Sequence, residues 1–258
     1  DTLYYRIIKN TDLEESSLES GMSLLYEENR ESIVSIAVFD EKGRLVSAAP
    51  LSELKPDAEQ VWLELGCGKG RFTAETAAQN PNVLYLAVER VPDAMIVAME
   101  RCAQRGLTNV FFVDGDAAKL REYFVPDEID RLFINFCDPW PSNRHARRRL
   151  THQNFLVLYR GVLRTGGQIH FKTDNRDLFE YSLFQFPKAG YALSEVTRDL
   201  HADGICGVMT DYEEKFHNLG TKINRCVGTK EAMDPEPEYF PVPGPDARAA
   251  MGSTDEEP

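Results

Sequence analysis

From about residue 58 the chain settles into a strict alternation: short apolar runs that suit buried strands, each followed by a stretch of helical periodicity. Runs at 61–65, 84–89, 110–113, 129–136 and 168–172 read as strands, and 191–196 and 223–227 supply two more. Segments 72–79, 93–104 and 176–186 read as helices. Asn154, Phe155, Leu158, Val162 and Leu163 recur at helical spacing, with Gly166-Gly167 as the expected stop. Strands joined through helices pair in parallel, because each crossover returns the chain to the same end of the sheet. The expected fold is α/β: a doubly wound, mostly parallel, seven-stranded sheet. In such sheets ligands collect at the carboxyl ends of the strands.

This pattern covers residues 56–230. Before it, 33–39 and 44–48 read as β segments around the turn Asp40-Glu41-Lys42-Gly43, so 1–55 is expected to be an accessory segment with a β-hairpin. After it, 231–258 is rich in Pro, Glu and Asp and has little to bury, which predicts a disordered acidic tail. The formal charge of −13 argues against a protein that coats nucleic acid indiscriminately, since such binding is driven by phosphate neutralisation. Eight acids and one Arg fall in that tail, however, so about half of the net charge is local. The five cysteines form no CxxC pair, and the histidines have no metal-ligand spacing. Neither a disulfide framework nor a metal is expected, which suits a reducing cytoplasm. No signal-peptide pattern and no apolar run of membrane-spanning length is visible.

The first strand of the alternation leads into Glu64-Leu65-Gly66-Cys67-Gly68-Lys69-Gly70. Glycines there permit a tight turn and a bare backbone against a ligand at a helix N-terminus. A dinucleotide site is the obvious rival reading. Its GxGxxG pattern would need glycine where Arg71 stands, and Glu64 would repel a pyrophosphate. A ligand with an amine and no phosphate fits better, and S-adenosylmethionine is one. Glu89 ends the second strand, where a carboxylate can accept ribose hydroxyls. Asp116 follows the third and can accept from the adenine amine. Three acids at three successive strand ends point to a class I, Rossmann-like methyltransferase that binds the donor through Glu64, Gly66, Gly68, Gly70, Glu89 and Asp116.

The fourth strand ends in Cys137-Asp138-Pro139-Trp140-Pro141, and Arg144, His145, Arg147, Arg148 and Arg149 follow closely. A fixed acid beside an aromatic ring and a cluster of arginines suits a planar base attached to phosphates. Trp140 is read either as a stacking platform or as a wedge that fixes the turn. The arginines are read as phosphate contacts, some of them paired with acids of the chain.

DPWP followed by RHARRRLT, with the later KTDN and TDYE, closely resembles the tRNA (guanine-N7-)-methyltransferases of the bacterial TrmB type. The resemblance covers residues 61–228. It implies donor contacts at Glu64, Glu89, Asp116 and Asp138, with Asp138 as the catalytic residue. It implies tRNA contacts at Asp174, Thr210, Asp211, Tyr212 and Glu213, and transfer to N7 of the variable-loop guanine at tRNA position 46. Where the family has a basic pair after DPWP, this chain has Ser142-Asn143, so the substrate contact expected at Ser142 passes to Arg144. The family's basic N-terminal arm has no counterpart in residues 1–60. These departures keep two alternatives open: a methyltransferase acting on another RNA, and a donor- and RNA-binding protein without turnover. The partner implied is tRNA, with no membrane, for a monomer or homodimer.

Overall fold

The structure is a computed structural model that describes residue 55, residues 57–237 and residue 239, together with the backbone of three earlier strands. Those are β1 (Tyr4–Lys9), β2 (Val34–Phe39) and β3 (Leu45–Pro50), an antiparallel sheet in the order β1-β2-β3. The pairing of β2 with β3 spans the turn read as a hairpin; β1 has no counterpart in the sequence reading.

The second sheet has seven strands: β4 (Gln60–Leu65), β5 (Val83–Glu89), β6 (Val110–Asp114), β7 (Ile129–Asn135), β8 (Leu163–Thr173), β9 (Tyr191–Thr197) and β10 (Asn224–Lys230). Their order is β6-β5-β4-β7-β8-β10-β9. The first five are mutually parallel, and β10 runs antiparallel between β8 and β9. The register places Leu65 opposite both Val88 and Ile134, Glu89 opposite Asp114, and Asn135 opposite Lys172. Six carboxyl ends, those of β4 to β9, therefore share one edge of the sheet, with the start of β10 beside them.

Period-two alternation splits the apolar residues between two layers. Leu63, Leu65, Leu132, Ile134 and Phe171 pack on the side of α4 (Gln153–Arg160) and α5 (Arg176–Lys188). Trp62, Tyr85, Phe112 and Phe133 pack on the side of α1 (Arg71–Gln79) and α2 (Pro92–Gln104). The Phe133 ring lies within 5.2–6.1 Å of the rings of Phe72, Trp62 and Tyr85, so α1 is seated directly on the sheet centre. The short α3 (Leu120–Tyr123) follows β6, and α6 (Asp211–Asn218) precedes β10.

Two expectations need correction. Gly166-Gly167 does not end a helix: α4 stops at Arg160, and both glycines lie inside β8, where the pairing with β7 slips between Ile129 and Arg131. Gly166 sits at φ 78°, and a Cβ on Gly167 would fall 2.8 Å from the Arg164 carbonyl, so glycine here serves an irregular strand. The acidic tail also does not start free at Glu231. Buried Arg160 donates to both Glu236 carboxylate oxygens (2.7 and 2.6 Å) and to the carbonyls of Gly190 and Glu231. The Arg121 guanidinium stacks on Tyr239 at 4.9 Å. Residues 240–258 lie outside the described part.

The glycine at the α1 N-cap controls the approach of α1 to α2. Gly70 has φ 73°, and a Cβ there would overlap Ala98 Cβ. The close-packing role that a dinucleotide fold gives to the third glycine of its fingerprint thus falls one residue earlier, and Arg71 is left to pair with Glu75 and Glu214. Gly70→Ala is expected to lose about 2 kcal/mol of stability from strain and overpacking together; urea unfolding with an unchanged midpoint would contradict this packing account.

Candidate active site

A cavity of about 410 Å³ opens at the shared edge of strand ends. Its walls are the loop 66–72, Glu64 beneath it, Asn135 and Phe136 from the end of β7, and residues 210–212 with Lys215 from α6. Gly66 (φ 76°) and Gly68 (φ 54°) require the left-handed conformation, and a Cβ on either would meet nothing within 4 Å. Open space, not packing, lies beside these two backbones.

Glu64 is 1% exposed and needs internal partners. Oε2 accepts from the hydroxyls of Thr73 (2.7 Å) and Tyr85 (3.0 Å), and Oε1 accepts from Asn135 Nδ2 (3.4 Å). Burial pushes this carboxyl above the usual carboxylate range, and the three hydrogen bonds oppose the shift. Glu89 is fixed before any ligand arrives: Oε2 accepts from Gly68 N–H (2.9 Å), and Oε1 from Arg90 and Val91 N–H (2.8 and 2.9 Å). It ties the glycine loop to the β5 end. Asp116 caps a 3₁₀ turn through Ala118 N–H at 2.9 Å, and Oδ2 lies 3.6 Å from Arg90.

The Asp-Pro-Trp-Pro turn is strained and clamped. Phe136 (φ 53°) and Trp140 (φ 42°) both occupy the left-handed region, which costs of order 1–3 kcal/mol each. Arg149 holds the turn in place, donating Nε to the Pro139 carbonyl (3.0 Å) and Nη2 to the Trp140 carbonyl (2.9 Å), with its guanidinium on the Tyr181 ring at 4.3 Å. Arg149 is buried, so it is a fastener of the turn and not one of the phosphate contacts read from the sequence. Trp140 lies between the Arg148 guanidinium (4.8 Å) and the edge of His145 (5.9 Å), which favours the wedge reading. Asp138 is exposed and accepts no hydrogen bond from any described residue. Arg144, Arg147 and Arg148 are also exposed and form no ion pair among the described residues, so the expected pairing with local acids is not seen. Ser142 starts the 3₁₀ helix Asn143–Arg148 without a side-chain cap.

The TDYE segment is a helix start. Thr210 Oγ1 accepts from Glu213 N–H (2.9 Å), and Glu213 Oε2 accepts from Thr210 N–H (3.2 Å), a reciprocal capping box for α6. Glu213 is fully buried. Lys172 Nζ donates to Oε2 at 2.5 Å, and His201 Nε2 lies 3.0 Å from Oε1. Cys206 N–H donates to His201 Nδ1, which leaves the ring proton on Nε2, directed at Glu213. Burial lowers the Lys172 ammonium pKa, and Glu213 opposes that shift. The carboxylate of Glu213 is therefore occupied, and the sequence expectation that it contacts substrate is not supported by its burial. On the outer face of α6, Asp211 pairs with Arg101 (2.8 Å) and Glu214 with Arg71 (2.5 Å). Tyr212 stacks on Phe216, faces Phe136 at 5.2 Å, and donates to Asp174 Oδ2 at 3.2 Å.

A family model described as "Putative methyltransferase" matches residues 58–226. A tRNA (guanine-N(7)-)-methyltransferase of Streptococcus suis (strain 05ZYH33) is 47% identical over 175 residues, 67% of this chain and 82% of that protein. The chain belongs to the tRNA (guanine-N(7)-)-methyltransferase family. The family's protein from Halalkalibacterium halodurans is 46% identical over 167 residues, 64% of this chain and 76% of its own. Solved structures agree on the fold alone. The 16S rRNA methyltransferase KamB superposes with a TM-score of 0.56 at 16% identity, covering 76% of this chain and 96% of that one. An antibiotic-related methyltransferase gives 0.55 at 18%, covering 70% and 92%.

Of the site residues expected from the sequence, Glu64, Gly66, Gly68, Gly70, Thr210, Asp211 and Tyr212 meet at the cavity. Glu89 reaches it through Gly68, and Asp174 touches it through Tyr212. Asp116, Asp138, Ser142 and Arg144 do not line it. Sequence reading missed Asn135, Phe136, Lys69 and Lys215 in the wall, and Lys172 and His201 behind it. Asn135 carried a signal, a polar residue closing an apolar strand; His201 carried none. Among the described residues no cluster of side chains could hold a metal.

Burial pushes the thiols of Cys102, Cys137 and Cys226 up to about 12 and raises Cys67 well above its ordinary value, whereas Cys206 is exposed. Alkylation of the native protein at pH 8 should therefore modify Cys206 first, as read by peptide mass; rapid modification of Cys137 would show the turn to be open. Arg149→Met should lower stability by about 1–3 kcal/mol by leaving two carbonyls unpaired, measured by denaturant titration.

Proposed function

We propose that this chain transfers a methyl group from S-adenosylmethionine to N7 of a guanine in tRNA, in the variable loop at position 46, with residues 56–230 as the catalytic unit. The observation that carries the reading is Asp138, which has no partner among the described residues, on its clamped turn beside three arginines that form no ion pair there, in a chain of this family. The bare glycine backbones, a cavity of suitable volume and the fixed Glu64 and Glu89 fit the donor. When bound, the donor supplies an electrophilic methyl group on a sulfonium.

Guanine N7 carries a free lone pair at neutral pH, so no proton has to be removed before attack. The requirement is alignment of the lone pair, the methyl carbon and the departing sulfur, and positioning of this kind can lower a barrier by up to about 7–11 kcal/mol. Asp138 accepts from guanine N1–H and the 2-amino group, which orients the purine and rejects adenine. Its charge also favours the positive charge that develops on the ring as the N7–C bond forms. Asp138 is thus an orienting and electrostatic residue. Glu89 receives the donor ribose, Asp116 its adenine amine, and Gly66, Gly68 and Gly70 its amino-acid end. Tyr212 and Asp174, already joined by a hydrogen bond, form the opposite wall for the base. Thr210 and Glu213 act by capping α6 beneath Tyr212, and Asp211 by tethering that helix to Arg101.

Arg144, Arg147 and Arg148 hold phosphates next to the target, with Arg144 in place of the basic pair absent at Ser142-Asn143. No helix among the described residues is long and apolar enough to cross a membrane. A tRNA substrate implies that the protein works in the cytoplasm.

Methyl transfer to unmodified tRNA transcripts, followed by borohydride reduction and aniline cleavage, should cut the variable loop. Asp138→Ala should reduce the product at least about a hundred-fold; donor binding with methylation only of another RNA would favour the alternative substrate. Replacing Arg144, Arg147 and Arg148 with Gln should weaken tRNA binding and shallow its salt dependence by about 0.9 for each phosphate no longer neutralised, and an unchanged slope would remove the patch from the RNA path.

A further inference from the structure

Three cationic side chains line the cavity: Lys69 in the glycine loop, Arg71 at the start of α1, and Lys215 on α6. They are not equivalent. Arg71 is saturated by Glu214, at 2.5 and 3.1 Å, and by Glu75 at 3.1 Å. Lys69 and Lys215 have no hydrogen-bond or ion-pair partner among the described residues, and the Lys215 ammonium stands 5.7 Å from the Phe216 ring. The acids nearest in the chain are already committed: Asp211 to Arg101, Glu214 to Arg71, Glu213 to Lys172 and His201. Two uncompensated ammonium groups therefore face one cavity whose floor is the acid Glu64.

This charge pattern matches a zwitterion. An ammonium is attracted toward Glu64 and Asn135, and a carboxylate toward cations at the rim. We infer that Lys69 and Lys215 form the binding site for the carboxylate of the donor's amino-acid end. The inference deepens the donor reading above and rests on it. Its second consequence is mechanical. Lys69 belongs to the loop after β4, and Lys215 to α6, which also carries Tyr212. A carboxylate bridging the two lysines fastens α6 over the donor, so the wall that receives the base is completed by the donor itself. The donor then raises affinity for the RNA, by a coupling that must be reciprocal.

The test is equilibrium binding of S-adenosylmethionine and of its decarboxylated analogue, which keeps the sulfonium and the ammonium and lacks only the carboxylate. The wild-type protein should bind the intact donor about ten-fold more tightly, the size expected for charge-assisted hydrogen bonds near a surface. Lys215→Gln and Lys69→Gln should each lose affinity for the intact donor and leave that for the analogue unchanged; Lys215→Arg should restore most of it. Both lysines are exposed, so the variants should fold, which thermal unfolding verifies. Equal loss for both ligands would overturn the assignment. So would unchanged donor binding with weakened tRNA binding, which would make these lysines phosphate contacts. Failure of the wild-type protein to bind either ligand would instead overturn the donor reading beneath it. In the expected case, S-adenosylhomocysteine increases the affinity of the wild-type protein for tRNA, and this gain disappears in Lys215→Gln.

Discussion

A buried carboxylate in a sheet interior has to be met by donors from whatever surrounds it, because a bare charge there costs several kcal/mol. Glu64 turns that requirement into architecture. Its three donors come from three different elements: Thr73 from α1, Tyr85 from β5 and Asn135 from β7. Satisfying one acid thus fixes the helix after the glycine loop, the neighbouring strand and the strand that presents Asp138. The glycine loop is further stitched to β5 by Glu89, so its backbone is held open without side chains of its own.

The other half of the site repeats the device. Glu213, equally buried, gathers Lys172 from β8, His201 from the loop after β9 and the cap of α6. α6 is then tethered outward to α1 and α2 by Arg71 and Arg101. Glu64 lies beneath the cavity, and Glu213 is buried behind the wall that α6 supplies. The strained turn at Phe136–Trp140 persists because Arg149 supplies two hydrogen bonds and a stacked ring in return.

Much of this is legible along the chain. Strand and helix spans between residues 61 and 227 follow from hydrophobic period, because a doubly wound sheet buries nearly continuous apolar runs. The acids at strand ends are visible because an acid closing such a run is rarely there for packing. The misreadings share a cause. TDYE has the S/T-x-x-E spacing of a capping box and also the polarity of a set of substrate contacts; in the fold Glu213 is buried in the cap while Thr210, Asp211 and Tyr212 line the cavity, a division that only tertiary burial makes. Arg149 looks like its arginine neighbours, though its side chain turns inward. Gly166-Gly167 resembles a helix stop because glycine marks both stops and irregular strands.

Sequence alone determined the kind of sheet, the location of the ligand edge and the family, since these depend on period, spacing and short motifs within one stretch of chain. It could not decide which charges were free. Glu64, Glu213, Arg149 and Lys172 are spent on partners 3 to 71 positions away in the chain, while Asp138, Arg144, Lys69 and Lys215 are left without described ion pairs. Only the folded structure separates the two groups, because the availability of a charge depends on what the fold brings beside it.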